Sequence, residues 1–456
     1  MGAVLEQKRH DAILLFTSFY GEGHTGPLMS IASYMIQRGH EVVYVADTRY
    51  EEKITNMGAE FVGVPGDPAR YIKSTFTTLS KLTGLERGAH QLTHVFYKPL
   101  PDRVEALATT LEMVREWHPD RQIIIVQDVL NMAVQPWLYG RPLPKGFTKF
   151  PKTVGISPHP MLIQSIDTAP ILTGFPPDAT ESGRLRNAAL HKLCDAGPFK
   201  PFHDAWAEAL ELCGCTIPPT GSPFTAWYTS HDSVMMLCSP SLEYDLSDRP
   251  EMIHFAGCLP PRGVDDNYPF PEWWSEIIQN SQKQKNKRRV VFVCQGTVNR
   301  QWSLLVEPTI AAFHGRDDII VVASLGQKDA SLDAEIPILE NVRVADYLPY
   351  DAVLQHADVF VTNGGYGAFS HAVMNGVPAV FAGETEEKPE VIMRAVYAGF
   401  GHNLKTQAPS PGKVAEGVDA VLGDARYKQR AVELMEENLA MGALGRIHDE
   451  IMKYVE

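Results

Sequence analysis

Short apolar runs alternate along the chain with stretches whose apolar residues fall at helical spacing. In the first half the runs are residues 12–19 (AILLFTSF), 41–47 (EVVYVAD), 60–64 (EFVGV), 122–126 (QIIIV), 154–157, 234–237 and 252–256. They are rich in β-branched residues and apolar on both faces, which predicts buried parallel strands. Between the first two, Leu28, Ile31, Ala32, Met35 and Ile36 form a helical stripe that Pro27 opens and Gly39 closes. Val104, Leu107, Leu111 and Val114 form another within residues 103–117, and further helical pieces fall at 181–194 and 203–213. The second half repeats the pattern, with a helix from 273 and strands at 289–294 (RVVFVC), 319–323, 342–345, 357–361 and 378–382. A long amphipathic stretch, 427–454, reads as one helix that packs back on the first domain.

Strand and helix in alternation imply a doubly wound parallel sheet, and the alternation occurs twice. The fold class is therefore α/β, with two Rossmann-like domains facing across a cleft. The expected layout is a domain at 1–258, a linker at 259–271, a second domain at 272–426 and a closing helix at 427–456. The linker, LPPRGVDDNYPFP, clusters Pro, Gly and acids and loses all periodicity.

Length and composition agree with this division. A chain of 456 residues exceeds one ordinary core, and 44% hydrophobic with 21% charged residues is globular. A net charge of −14 argues against a general nucleic-acid or anionic-membrane binder. The basic run 283–289 (KQKNKRR) reads as a solvated helix end or loop. Six cysteines lie at 194, 213, 215, 238, 258 and 294 without C-x-x-C spacing, so buried free thiols are expected. No leader pattern or run of about 18 apolar residues is visible, and Glu6 stands where a myristoylation signal at Gly2 requires Ser or Thr. A cytoplasmic protein without a membrane span is expected; oligomeric state is not legible.

Two strand-to-helix turns carry candidate chemistry. After the first strand, residues 20–27 read YGEGHTGP, placing His24 at the C-terminal edge of a parallel sheet. The strand 122–126 ends at Gln127-Asp128 on the same edge, so His24 and Asp128 form a candidate base and orienter. The bland readings are a loop histidine and a turn-capping acid. Gly21, Gly23 and Gly26, with Asp47 after the next strand, also approximate a dinucleotide fingerprint, which would make a nicotinamide-dependent oxidoreductase. In the second half, residues 362–390 (TNGGYGAFSHAVMNGVPAVFAGETEEKPE) give a strand end, a glycine turn, a helix, a strand and an acidic loop. Such a turn presents helix N–H groups to a phosphate, and the loop can hold hydroxyls. Gln295-Gly296-Thr297, ending another strand, is a candidate phosphate contact or a plain tight turn. The stretch 70–101, with His90, His94, Phe96 and Tyr97, reads as a pocket wall or a helical insertion.

The G-x-G-H turn, the T-x-G-G turn and the following G-V-P together resemble the inverting UDP-sugar-dependent glycosyltransferases of GT-B fold that act on small lipophilic acceptors. The resemblance implies that His24 deprotonates the acceptor hydroxyl and that Asp128 pairs with it. It implies donor contacts at Gly23, Gly296 and Thr297, at Tyr347, Leu348 and Tyr350 of the YLPY segment, and at Asn363, Gly364, Gly365, Tyr366, Gly367 and Ala368. His371 stands at the ribose-binding Glu position, and Glu387-Lys388 at the Asp-Gln pair that holds the sugar. Asn363 replaces the usual pyrophosphate His; its amide can donate a hydrogen bond without supplying charge. Tyr20, His94 and Phe96 are expected at the acceptor. The donor implied is UDP-glucose, the acceptor a phenolic or flavonoid-like molecule. No cofactor is expected beyond the co-substrate, and no metal, since no D-x-D motif stands out. A non-catalytic nucleotide-sugar-binding protein remains a further alternative.

Overall fold

The computed structural model describes residues 12–64, 78–79, 81–261, 263–265, 267–297, 299–332 and 340–456. The expectations for the leader and Gly2 lie outside these residues, as do parts of the 70–101 stretch and positions 262 and 266 of the linker. The chain forms two compact units: Met1–Leu237 with Leu246–Ala256 and Ala443–Glu456, and Cys238–Asp245 with Gly257–Gly442.

The strands of the first unit are β1 (Ile13–Thr17), β2 (Glu41–Ala46), β3 (Glu60–Gly63), β4 (Ile123–Asp128), β5 (Lys152–Ser157), β6 (Ser233–Met236) and β7 (Ile253–Phe255). They form one seven-stranded sheet in the order β3-β2-β1-β4-β5-β6-β7, with parallel pairing throughout. β1 and β4 are buried along their whole length, as a sheet covered on both faces requires. The order reverses between β1 and β4, where Thr17 pairs with Gln127. This is the switch point at which open α/β sheets leave a crevice for ligands.

The second unit repeats the plan. Its strands are β8 (Arg289–Cys294), β9 (Ile319–Ser324), β10 (Val342–Ala345), β11 (Val359–Thr362), β12 (Ala379–Phe381) and β13 (Gly401–Asn403), in the order β10-β9-β8-β11-β12-β13. All these pairings are parallel. Its switch point lies between β8 and β11, where Cys294 pairs with Thr362. β13 has no counterpart among the predicted strands. Its sequence, GHN, is short and carries no apolar run; it is a strand because it pairs with β12.

The helix expected over 427–454 is two helices, Ala425–Met441 and Ala443–Met452. Gly442 breaks it, adopting φ +64° in the left-handed region that favours glycine. The second helix belongs to the first unit and packs on the helix Glu22–Gln37. Gln122 Nε2 then donates to the Tyr454 carbonyl at 2.6 Å. The basic run 283–289 follows the helix Trp274–Gln282 and is largely exposed, as expected. All six cysteines are free and five are buried. Among the described residues no helix is long and apolar enough to cross a membrane.

His231, just before β6, is 4% exposed, with Nε2 3.2 Å from Gln127 Nε2. Burial pulls its pKa down from 6.5 to about 4. Between those values the unfolded chain binds a proton that the folded chain does not. Stability therefore falls as pH drops through this window, by on the order of 3 kcal/mol in total. We expect the urea midpoint to decline from about pH 6.5, before any carboxylate titrates, and His231→Gln to flatten that decline. Equal slopes in both proteins would remove His231 as the cause.

Candidate active site

In the first unit the helix Glu22–Gln37 starts directly after β1, capped by Gly21 at φ +137°. That backbone angle is open chiefly to glycine and turns the chain sharply from strand to helix. His24 therefore sits in the first helical turn. Asp128 is the last residue of β4, the neighbour of β1. His24 Nδ1 lies 2.7 Å from Asp128 Oδ2. The Asp128 side chain is fully buried, while that of His24 is 24% exposed. Asp128 Oδ1 accepts from the Leu130 amide at 2.9 Å.

Burial works to raise the Asp128 pKa. The His24 charge and hydrogen bond, the nearby His159 and the Leu130 amide outweigh it, and the carboxyl is held below its ordinary range. An ionised carboxylate only accepts hydrogen bonds, so His24 Nδ1 carries the proton that faces Asp128.

Aromatic rings surround this pair. The Phe19 ring lies 5.3 Å from that of His24, 4.3 Å from Tyr20 and 5.0 Å from Phe96. Phe96 also meets Trp227 at 5.5 Å. Phe96 is carried on the π-helical turn Thr93–Tyr97 that extends the helix Gly84–Leu92. The structure thus gathers Tyr20 and Phe96 about Phe19, beside His24. His94 stacks instead on His90 at 3.9 Å, with Nδ1 2.8 Å from the His90 carbonyl. His159 follows β5 on the same sheet edge, its ring 6.3 Å from that of His24. The sequence reading passed over Phe19, Arg103, His159 and Trp227. For His159 the usable signal was its place just beyond a strand end; for Arg103 it was a charge on an apolar helical stripe.

Gly23 and Gly26 lie inside the helix, and Asp47 caps a 3-10 turn, accepting from the Arg49 amide at 2.9 Å and from its Nε at 3.1 Å. Of the three fingerprint glycines, only Gly21 forms the turn itself.

In the second unit Gly296, at φ +85°, and Thr297 follow β8, while Asn363, Gly364 and Gly365 follow β11. The Asn363 side-chain amide donates to the Gln295 carbonyl and so ties the two turns together. Gly364, also at φ +85°, has no room for a side chain: a Cβ there would stand 2.7 Å from Ile392. The Gln295 Oε1 and Thr362 Oγ1 atoms at this edge are buried without a hydrogen-bond partner among the described residues. The helix Tyr366–Met374 begins at the turn, with Gly365 as its cap. Gly367 is open, whereas Tyr366 and Ala368 are buried, Tyr366 stacked on Phe369.

The remaining predicted donor residues divide. Tyr347 is 43% exposed, and its carbonyl accepts from the Tyr268 hydroxyl at 2.9 Å. Leu348 is buried and donates its amide to Ser324 Oγ at 3.2 Å. The Tyr350 hydroxyl turns to Cys294 Sγ at 3.3 Å, and its ring packs on Phe292 and Phe360. His371 Nδ1 meets Asp351 Oδ1 at 2.7 Å. Glu387 caps the helix Lys388–Ala398, and the Lys388 ammonium is paired with Glu386. Among the described residues no group of three or more His, Cys, Asp or Glu side chains is arranged to hold a metal ion.

Comparison with known proteins places these two sheets in context. Residues 309–452 match the family model for the erythromycin biosynthesis protein CIII-like C-terminal domain. UDP-glucosyltransferase 1 of Beauveria bassiana (strain ARSEF 2860) is 36% identical over 437 residues, covering 95% of this chain and 93% of the relative. UDP-glycosyltransferase 2 of Phaeomoniella chlamydospora is 33% identical over 440 residues, covering 94% and 92%. The solved structure of the glycotransferase of kitacinnamycin superposes with a TM-score of 0.66 at 21% identity, covering 98% of this chain and 100% of that one. That likeness shows the fold, two doubly wound parallel-sheet domains of GT-B type. The nicotinamide reading of the Gly21 loop is thereby overturned: the near-full-length relatives are glucosyl- and glycosyltransferases, and Asp47 is occupied as a cap. With such identity over almost all of both chains, this protein belongs to the UDP-glycosyltransferases, GT-B enzymes that transfer a sugar from a UDP-sugar.

Proposed function

We propose that the protein transfers glucose from UDP-glucose to a hydroxyl of a small lipophilic acceptor, phenolic or flavonoid-like, with inversion at the anomeric carbon. The observation that carries this reading is the 2.7 Å pairing of His24 with a fully buried Asp128 at the switch point of the first sheet. A phenol titrates near ~10 and is a weak nucleophile at neutral pH, whereas an imidazole of ordinary pKa ~6.5 is a suitable general base. His24 takes the acceptor proton on Nε2, and Asp128 balances the resulting imidazolium. The acceptor oxygen attacks the anomeric carbon from the face opposite UDP, which leaves in the same step. Phe19, Tyr20 and Phe96 offer the acceptor an apolar wall, and His94 is retained as a more distant contributor to it.

On the donor side the assignments rest on the glycine turn and the helix behind it. The backbone of Gly364 and Gly365, the first turn of the helix Tyr366–Met374, Gly296 and Thr297 are proposed to receive the diphosphate. The leaving group gains negative charge, and aligned N–H groups stabilise it without a metal ion. The exposed Tyr347 ring stacks on uracil, and Glu387 with Lys388 meets the sugar hydroxyls. Incubation with UDP-glucose and a panel of phenols is expected to yield glucosides, read by product mass, with UDP released only when acceptor is present. Saturating EDTA is expected to leave the rate within about twofold. A rate abolished by EDTA and restored by a divalent ion would overturn the metal-free arrangement. Absence of glucoside across phenols, alcohols and sterols would overturn the acceptor class.

A further inference from the structure

Arg103 lies in the first turn of the helix Leu100–Trp117, on the face that carries Leu107, Leu111 and Val114, where the periodicity calls for an apolar residue. It is 6% exposed. Its Nη2 donates to the Phe96 carbonyl, but Nε and Nη1 are buried with no hydrogen-bond partner among the described residues. The guanidinium carbon stands 5.3 Å from the centre of the Phe19 ring, the same ring that packs against His24. The Tyr20 hydroxyl, which feels the Arg103 charge, is likewise buried without a partner. Burial brings Arg103 down to about 10, so it remains a cation at neutral pH.

Buried charges in proteins are paired, and buried donors are hydrogen-bonded. The contact with Phe19 offsets part of the deficit. Asp128 stabilises Arg103 only through space, because its two oxygens are engaged by Leu130 and His24. The guanidinium therefore has nitrogens that no group among the described residues satisfies, and they lie beside the Phe19 ring in the aromatic wall assigned to the acceptor.

We propose that Arg103, together with the Tyr20 hydroxyl, forms an anion subsite in the acceptor pocket, and that its ligand is a carboxylate carried by the acceptor itself. This deepens the proposed function and rests on it. The preferred acceptors are then hydroxy acids, molecules whose hydroxyl reaches His24 while their carboxylate reaches Arg103. A carboxylate suits this place because it accepts hydrogen bonds from guanidinium nitrogens and from a phenol at once. The charges also balance: Asp128 compensates the proton taken up by His24, and the acceptor carboxylate compensates Arg103.

The test compares matched pairs, aryl and aliphatic hydroxy acids against their methyl esters, with UDP-glucose as donor. The wild type is expected to favour the acids by about tenfold or more in kcat/KM, chiefly through KM. Arg103→Met is expected to bring that preference to within about twofold, Arg103→Lys to keep part of it, and Tyr20→Phe to lower it by less. Equal use of acid and ester by the wild type overturns the proposal. So does an Arg103→Met enzyme that loses both series by the same factor with a lowered Tm, since that is the signature of packing alone. If no glucoside forms on either series, the reading of the reaction fails. The subsite is then judged by Tm alone: stabilisation by the acids and not the esters, lost in Arg103→Met, upholds it, and no difference overturns it.

Discussion

Replacing His24 by Ala is expected to lower kcat/KM for transfer from UDP-glucose by about 10²–10⁴-fold, the usual contribution of a positioned general base. The reason is local. The ring is held by a 2.7 Å contact to Asp128, which fixes the proton on Nδ1. UDP binding, read as the rise in Tm on adding UDP, is expected to be unchanged, because the proposed diphosphate site belongs to the other sheet. His24→Gln supplies a control. Its amide can still donate to Asp128, so the buried carboxylate keeps a partner while the base is gone. Both variants should be comparably inactive, and Gln should be the more stable. A His24→Ala enzyme within tenfold of wild type at pH 7 would remove the base assignment and leave the dyad as a structural pair.

The second large effect concerns stability. Glu243 and Arg394 are 1% and 4% exposed and meet at 2.5 Å. Arg394 Nη1 also reaches Glu390 at 3.0 Å, and its guanidinium lies 4.4 Å from the Tyr244 ring centre. Burial alone would lower the Arg394 pKa; Glu243, Tyr244 and Glu390 together drive it above its ordinary value. Glu243→Ala removes the most buried of these partners and leaves the buried cation with Glu390 as its remaining carboxylate. We expect a loss of about 3–5 kcal/mol in urea unfolding, as for other broken buried pairs. Arg394 sits on the helix Lys388–Ala398, whose first residues are assigned to the donor sugar, so UDP-glucose affinity should weaken in parallel. The double variant Glu243→Leu with Arg394→Met should recover most of the stability, because neither charge then remains buried. A cost below about 1 kcal/mol for the single change would mean that Glu390 and Tyr244 suffice for Arg394.

The strands were visible because a parallel sheet covered on both faces demands continuous apolar runs, and β1, β4, β8 and β9 have them. β13 was invisible because its three residues are strand only by pairing with β12. The break at Gly442 was missed because amphipathic spacing continues through it, and only φ +64° shows that the chain turns. That the Tyr350 hydroxyl points to Cys294 was not legible, because a local motif does not encode side-chain direction.

By itself, then, the sequence determined two α/β halves, the strand ends that carry His24, Asp128 and Asn363, and the glycines that turn strand into helix. These are local properties, set by periodicity and by the backbone freedom of glycine. The tertiary structure alone decided that His24 meets Asp128 across 104 residues of chain, and that Arg103 is buried with donors unsatisfied among the described residues. Each depends on strand order, which makes β1 and β4 neighbours and closes the aromatic wall around Phe19. Contacts between distant segments arise from packing, and no window of sequence contains them.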